Sequence, residues 1–114
     1  MTLIGIVEAP SYLNDAERLL TEAERTDLAI SLAADPYQGV LIKGTGGLRK
    51  MRVGFAGRGK RGGGRVVYWY HSEGYPIVLL AMFAKNEASD LSVGEAKLLS
   101  KIADRLIEDF GGRS

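Results

Sequence analysis

The 114-residue sequence predicts an α+β fold in which a mainly antiparallel sheet packs against helices. A short apolar segment near the N-terminus is followed by two segments with helical apolar spacing. Three strand-like segments then occupy the middle of the chain, and a long amphipathic segment follows them. The expected element order is therefore β-α-α-β-β-β-α, in a single domain spanning residues 1–114.

The first strand and the two helices after it are predicted from local signals. Leu3–Val7 is apolar and partly β-branched, which is typical of a strand. Ser11 or Asn14 is the expected cap of the first helix. Thr21-x-x-Glu24 is a capping-box pattern that opens the second helix, and Asp35-Pro36 ends it. The expected apolar stripe of this second helix comprises Leu28, Ile30, Leu32 and Ala33.

Three strands are expected in the middle of the chain. Leu48–Val53 is the first, and a long connection over Gly54–Gly64 leads to the second, Arg65–Tyr70. A turn at His71–Gly74 joins this strand to Tyr75–Ala84. The last strand contains a continuous apolar run, which predicts a central position in the sheet.

The C-terminal helix is expected from Val93 to Phe110. Ser92-x-x-Glu95 is a second capping box, and Gly111-Gly112 would end the helix. We expect all the helices to lie on one face of the sheet, with basic residues on the other face. The predicted core positions of this helix are Val93, Ala96, Leu99, Ile102, Ala103, Leu106 and Phe110.

A concentrated positive charge distinguishes the middle of the chain. Of the fifteen basic residues, eight lie in the 23-residue stretch from Lys43 to Arg65, which contains no acid and nine of the fifteen glycines. This pattern favours a polyanionic ligand such as RNA or DNA, approached closely by a glycine-rich backbone. A solvated loop with charges that keep it soluble is the alternative. The eight residues are Lys43, Arg49, Lys50, Arg52, Arg58, Lys60, Arg61 and Arg65.

Several other classes of site are not expected. The chain has no cysteine, so disulfides and a Cys nucleophile are excluded, and no metal site or cofactor is expected. Neither a secretory signal nor a membrane span is expected. Gly57-x-Gly59-x-x-Gly62 matches the dinucleotide-binding pattern, but it leads into a strand and not into a helix, so this site is not expected. The stretch from Gly54 to Lys60 resembles a phosphate loop, but Arg61 stands where such a loop needs Ser or Thr to hold magnesium.

The single histidine and the aromatic residues offer weaker candidates. His71 is interpreted as a solvated turn residue, because it has no positioned partner. The Tyr68-Trp69-Tyr70 run and Tyr75 could stack on bases. Since residues of a half-buried strand alternate between faces, one or two of these rings at most could face a ligand.

Three linked blocks resemble the RelE-like toxins of bacterial toxin–antitoxin pairs, and the HigB-type branch in particular. They occur in the order and spacing of that family. Two departures from the RelE archetype, Asn86 in place of an arginine and Ser92 in place of an aromatic residue, also resemble the HigB branch. The blocks are Thr45-Gly-Gly-Leu-Arg-Lys-Met-Arg52, Gly59-Lys-Arg-Gly-Gly-Gly-Arg-Val-Val-Tyr68 and Ala84-Lys-Asn-Glu-x-x-Asp-Leu91.

The resemblance implies a RelE-like microbial ribonuclease fold and a cytoplasmic mRNA endonuclease that acts on the translating ribosome. It also implies a cognate antitoxin, with operator DNA bound only through the toxin–antitoxin complex. Lys50, Arg52, Arg65 and Lys85 match the basic positions of the family, and we expect these four to be catalytic. Arg65 and Arg52 would contact the scissile phosphate, and Lys50 or Lys85 would act as acid or base. The expected RNA-binding residues are Arg49, Lys60, Arg61 and Asn86.

Two alternatives remain open from the sequence. ParE-like relatives share the fold, inhibit DNA gyrase and cleave no RNA. A nucleic-acid-binding module without catalytic activity would also carry basic strand residues. The basic strand residues together with Lys85 favour the nuclease, and cleavage of a translated message would separate the three possibilities.

Overall fold

The order of elements along the chain confirms the α+β class. The computed structural model describes residues 4–55, 59–85, 87 and 90–110. These residues form five strands in one sheet and three helices. In chain order the elements are β1 (Ile6–Glu8), α1 (Pro10–Leu19), α2 (Glu22–Ala34), β2 (Val40–Leu41), β3 (Leu48–Phe55), β4 (Gly59–Trp69), β5 (Ile77–Ala84) and α3 (Val93–Phe110). The two-residue strand β2 was not expected from the sequence.

The sheet has the strand order β1-β5-β4-β3-β2. β1 runs parallel to β5, and the other neighbours are antiparallel. The predicted central position of the apolar strand is confirmed, because β5 lies between β1 and β4. The α1–α2 pair leaves the sheet after β1, and the chain then re-enters at the opposite edge through β2.

Two of the three helices begin at a capping box, and the first does not. α1 begins at Pro10 without a side-chain cap, so the expected cap at Ser11 or Asn14 is wrong. Proline suits the first helical position because its missing N–H would be unpaired there in any case. The box at α2 is confirmed: the Glu24 amide donates to the Thr21 hydroxyl at 3.1 Å. The box at α3 is confirmed by the corresponding bond from the Glu95 amide to Ser92 at 3.1 Å.

Helices cover both faces of the sheet, which corrects the expectation of one helical face. Val66, Tyr68 and Tyr70 of β4 pack under α1 and α2. Val67 and Trp69 point to the other face and pack under α3. Since successive side chains of a strand alternate between faces, a continuous apolar run requires a cover on each side.

Two predicted core residues are exposed. Ile30 of α2 is 63% exposed, because it lies two residues from the buried Leu28 and Leu32 and therefore on the far side of the helix. Val93 is 74% exposed in the first turn of α3, ahead of the stretch that packs on the sheet. Ile107, which was not expected in the core, is buried instead.

The glycine-rich stretch is part of a long hairpin, which corrects the expected connection over Gly54–Gly64. β3 extends to Phe55 and β4 starts at Gly59, with these two residues paired. A Cβ at Gly63 would lie 2.1 Å from the carbonyl oxygen of Val53, and one at Gly64 would lie 2.0 Å from that of Phe83. Glycine at these two positions therefore allows close approach of neighbouring strands, whereas the sequence had suggested approach to a ligand.

The aromatic run Tyr68–Tyr70 is structural: all three rings are buried, so none of them is free to stack on a base, and the expectation that most of these aromatic residues belong to the core is confirmed. The Tyr68 hydroxyl donates to the Pro36 carbonyl at 2.9 Å and accepts from the Gly39 amide at 2.8 Å. The Trp69 indole N–H donates to the Gly46 carbonyl at 3.0 Å. These bonds fix the turn-rich segment between α2 and β3.

Side chains form hydrogen bonds with the backbone groups of β5 that have no partner in β1. β1 pairs with residues 77–79 only. Beyond them, the Ser11 hydroxyl donates to the Leu80 carbonyl, and the Asp15 carboxylate accepts from the Met82 amide at 3.0 Å. The Glu87 carboxylate accepts from the Ala84 amide at 2.8 Å. The backbone groups that face away from β4 thus find partners in α1 and in the loop after β5.

Candidate functional site

Two arginines face each other across β3 and β4. The strand register places Arg52 directly opposite Arg65, and Arg65 opposite Phe83 of β5. Alternation from Leu48 and Val67 puts both arginines on the α3 face of the sheet. Arg52 is exposed and Arg65 is half-buried. Among the described residues, no acid forms an ion pair with either arginine, so this pair presents two positive charges at one place on the sheet.

Lys50 extends the positive row by one step along β3. It lies on the same face as Arg52, two residues away, and opposite Val67. Its Nζ donates to both carboxylate oxygens of Asp90 at 2.8 Å. The structure therefore brings Lys50, Arg52 and Arg65 together on one face, and these are three of the four residues that the family resemblance implied to be catalytic. This face is the one on which α3 packs, whereas basic residues were expected on a face without helices. We refer to these three residues as the basic row.

Asp90 is an acidic member of the site to which the sequence had assigned no role. Its pKa lies below the usual carboxylate value, first because of the hydrogen bond from Lys50 and second because of the Leu91 amide. The charges of Lys50 and Arg65 lower this pKa further, which places Asp90 within electrostatic reach of the basic row. In the sequence, Asp90 is visible only as an acidic residue two positions before the capping residue Ser92. Nothing in that segment indicates that its partner is a lysine of β3.

Lys85 occupies the turn that follows β5. Its backbone N–H donates to the Gly63 carbonyl at 2.9 Å, which places the residue beside β4, two residues from Arg65. Its side chain is exposed. Glu87 ties this turn to α1 through an ion pair with Arg18. The lysine thus stands at the end of a rigid strand, near the arginine pair.

Arg49 lies away from the basic row, on the α1–α2 face of the sheet. Its guanidinium donates to the carbonyls of Tyr37 at 3.2 Å and Gly39 at 2.9 Å, and lies 5.1 Å from the centre of the Tyr37 ring. The sequence had suggested an RNA-binding role, but this side chain supports the loop between α2 and β2. The strand alternation that selects Lys50 and Arg52 for one face assigns Arg49 to the other.

The remaining expected RNA-binding residues cannot be placed relative to the row. Lys60 and Arg61 belong to the first residues of β4, but their side chains lie outside the described part of the chain. Asn86 also falls outside the described residues. Their expected contacts with RNA stay predictions.

A small cavity adjoins Lys50 at the start of α3. It has a volume of about 160 Å³ and combines lysine side chains with an apolar lining. Its walls are formed by Ile42, Lys43, Gly44, Thr45, Lys50, Leu91, Ser92, Val93, Ala96 and Lys97. Its three lysines place positive charge around an otherwise largely apolar cavity.

His71 lies at the far end of β4 from the arginine pair. Its ring is exposed, stacks on Trp69 with centroids 6.1 Å apart, and shares a 2.9 Å hydrogen bond with the Ser72 hydroxyl. The expected exposure of His71 is confirmed, but its ring does have fixed neighbours in Trp69 and Ser72. Tyr75, the fourth aromatic candidate, is half-buried and packs edge-on against Trp69.

Within residues 4–55, 59–85, 87 and 90–110, no group of three or more His, Cys, Asp or Glu side chains is arranged to hold a metal ion. No helix in the same part of the chain is long and apolar enough to cross a membrane.

Comparison with known proteins places this arrangement in a family. Residues 16–110 match the family model described as the RelE toxin of the RelE/RelB toxin–antitoxin system. A solved structure of Escherichia coli toxin RelE, a double arginine-to-alanine mutant in the free state, is 13% identical with a TM-score of 0.55. The alignment covers 77% of this chain and 90% of that chain, so the two share a fold.

The family match spans α1 to α3 and includes the whole basic row together with Lys85 and Asp90. The structural match confirms the fold expected from the three sequence blocks. The partner that the family implies is a RelB-like antitoxin. The chain belongs to the RelE toxin family and is the toxin of a toxin–antitoxin system.

Proposed function

We propose that this toxin is a ribosome-dependent mRNA endonuclease that cleaves by attack of a ribose 2′-hydroxyl on the adjacent phosphate. The observation that carries the proposal is the Arg52–Arg65 pair, two guanidiniums on one face with no ion-pair partner among the described residues. Such a pair is unfavourable in the free protein and becomes favourable when a phosphate lies between the two charges.

RNA supplies much of the chemistry itself. Its 2′-hydroxyl is a nucleophile held next to the scissile phosphate, so the protein has to orient that group and stabilise charge on the phosphorane. Fixed guanidiniums provide this stabilisation without a metal ion, and their planar forks suit two phosphate oxygens at once. The products of the reaction are a 2′,3′-cyclic phosphate and a 5′-hydroxyl.

The same proposal includes that the toxin is of the HigB type and that it cleaves mRNA only on the ribosome. The resemblance of residues 45–91 to that branch supports both. The site offers few groups for proton transfer, and this favours a substrate that the ribosome has already placed in a reactive conformation. The partners are then the translating ribosome and its mRNA in the cytoplasm, the cognate antitoxin, and operator DNA through the toxin–antitoxin complex only.

A translation reaction with purified protein tests the proposal. The message is mapped by primer extension, and the new ends are analysed for a cyclic phosphate and a 5′-hydroxyl. Arg65→Ala should lower the cleavage rate by about 10²–10³-fold, the typical loss for one transition-state donor. Arg105→Ala is the matched control, because Arg105 is an exposed arginine of α3 away from the basic row.

Other outcomes would favour the alternatives. Intact transcripts together with gyrase-linked DNA breaks would replace the nuclease by a ParE-like gyrase inhibitor. Binding of RNA without cleavage would favour the alternative that the protein is a nucleic-acid-binding module without catalytic activity. Equal cleavage by the Arg65 and Arg105 variants would place the active site elsewhere on the protein.

A further inference from the structure

The basic row contains no described group that can accept the proton of the attacking 2′-hydroxyl. Arg52 and Arg65 carry guanidiniums, which have donors and no acceptor. Lys50 donates hydrogen bonds to both oxygens of Asp90, so its nitrogen is an ammonium without a free lone pair. These three side chains can stabilise negative charge, but in this arrangement they cannot remove a proton.

Asp90 is a carboxylate beside the row with acceptor capacity left. Its Oδ1 accepts from Lys50 at 2.8 Å and from the Leu91 amide at 2.7 Å. Its Oδ2 accepts from Lys50 alone among the described residues. A carboxylate oxygen can accept about two hydrogen bonds, so Oδ2 can take one more. The side chain is 52% exposed, which leaves room for a ribose to approach.

The surroundings of Asp90 keep it ionised. Lys50 faces it from β3 and Arg65 acts on it from β4, and both lower its pKa. Lys43 and Lys97 line the cavity that Lys50 also lines, and they add positive charge on the side of α3. A carboxylate held in this environment is fully charged at neutral pH and is available as a base, although a weak one.

The strand register places Lys50, which holds Asp90, and the backbone of Lys85 on opposite sides of the arginine pair. Lys50, which holds Asp90, lies opposite Val67, two residues from the pair in one direction. Lys85 is bonded to the backbone of Gly63, two residues from Arg65 in the other direction. Each two-residue step along a strand covers about 7 Å. An in-line displacement needs its proton acceptor and its proton donor on opposite sides of the phosphorus, and this row provides that order.

We propose, building on the endonuclease function proposed above, that Asp90 is the catalytic proton acceptor. The 2′-O–H bond breaks and its proton passes to Oδ2 of Asp90, while the 2′-oxygen forms a bond to phosphorus. The bond from phosphorus to the 5′-oxygen breaks, and the leaving oxygen takes a proton from the Lys85 ammonium. Asp90 then releases its proton to water and Lys85 regains one from water, so no atom changes its oxidation state.

A substrate with an altered leaving group separates the two proton transfers. The probe is a short message bound to the ribosome with sulfur in place of the bridging 5′-oxygen at the mapped cleavage position. A thiolate leaves without being protonated, so the sulfur should restore cleavage by Lys85→Ala. It should not restore cleavage by Asp90→Asn, because that variant cannot remove the 2′-proton. Loss of a general base lowers the rate by about 10²–10⁴-fold.

Matched variants complete the test. Asp104→Asn makes the same change of charge at an exposed position of α3 and should cleave like the wild type. Asp90→Glu keeps a carboxylate and should retain more activity than Asp90→Asn. The thermal melting of all variants is compared with that of the wild type, so that a loss of activity through unfolding is recognised.

The possible results distinguish this inference from the function on which it rests. Wild-type protein that cleaves while Asp90→Asn cleaves equally well or faster would overturn the role of Asp90 and leave the endonuclease in place. Rescue of Asp90→Asn by the sulfur substrate would have the same meaning. Wild-type protein that leaves both messages intact would overturn the endonuclease and this inference together.

Discussion

Replacing Arg52 by glutamine should make the free toxin more stable and less active. The register sets Arg52 directly opposite Arg65, and directly opposed strand residues have Cβ atoms about 4.5–5.5 Å apart. Two unit charges about 6 Å apart repel by about 0.7 kcal/mol in a water-like dielectric. The exposed Arg52 can turn partly away from its neighbour, so we expect a stabilisation of about 0.5 kcal/mol at low salt.

Urea unfolding at two salt concentrations measures this effect. For a slope of about 1–3 kcal/mol per molar urea, the midpoint should rise by about 0.2–0.5 M at low salt. The gain should vanish in 1 M salt, where the screening length falls to about 3 Å. Arg105→Gln on α3 is the control for a general change of net charge. In the cleavage assay Arg52→Gln should be slower by about 10²–10³-fold, since a phosphate contact is lost.

The reasoning holds only if Arg52→Gln raises the free energy of unfolding at low salt and leaves it unchanged at high salt. A less stable Arg52→Gln protein at low salt would mean that Arg52 is neutralised in the free toxin. A gain that persists in 1 M salt would mean that its origin is not electrostatic. Either result would contradict the argument that the charges of the basic row repel each other in the free protein and that a bound anion would relieve this repulsion.

Three further predictions concern the core, the packing between strands and the candidate site. Tyr68→Phe should lower the unfolding free energy by about 2–3 kcal/mol in urea, because two buried backbone groups lose their partner. Tyr75→Phe, whose hydroxyl makes no hydrogen bond with the described residues, should change it by less than about 0.5 kcal/mol. Gly64→Ala should cost about 3 kcal/mol through overpacking, and Gly54→Ala, where a Cβ meets no atom within 4 Å, should cost little by comparison. Because the folded protein lowers the pKa of Asp90 from its ordinary value of 3.8, the wild type should be more stable than Asp90→Asn at a pH above 3.8. This difference in the free energy of unfolding should disappear as the pH falls through the lower pKa of the folded protein. A difference that is unchanged between pH 7 and pH 3 would contradict this prediction.

Elements with local signals could be predicted from the sequence. The two capping boxes set the starts of α2 and α3, and the apolar run of β5 indicated a central strand. Each of these predictions depends on residues a few positions apart, where steric and hydrogen-bonding preferences act directly. The grouping of Lys50, Arg52 and Arg65 came instead from the resemblance of residues 45–91 to the RelE-like toxins, because the alternation along Leu48–Val53 is interrupted at Lys50-Met51.

What the sequence did not reveal depends on contacts between distant residues. The spacing of apolar residues gives the buried face of α3, but it does not tell which side of the sheet the helix covers. The ion pair of Lys50 with Asp90 joins residues 40 positions apart, and no pattern within either segment indicates it. The extension of β3 and β4 across the glycines was also hidden, because glycine ordinarily disfavours a strand and is required here by close strand contact.

The flank of β5 completed by Ser11, Asp15 and Glu87 has a consequence for the behaviour of the toxin at high concentration. Unpaired strand edges are templates on which a second molecule can add its own strand, and from there fibrils and precipitates grow. Here a hydroxyl and two carboxylates already occupy that margin, and the two acids would repel an approaching backbone carbonyl. At the opposite margin β2 pairs with only Arg49 and Lys50 of β3, so the outer side of the rest of β3 has no strand beside it among the described residues. We therefore expect strand addition to be blocked along this flank of β5, even when the toxin accumulates without a partner, so that any growth would have to begin at another margin of the sheet.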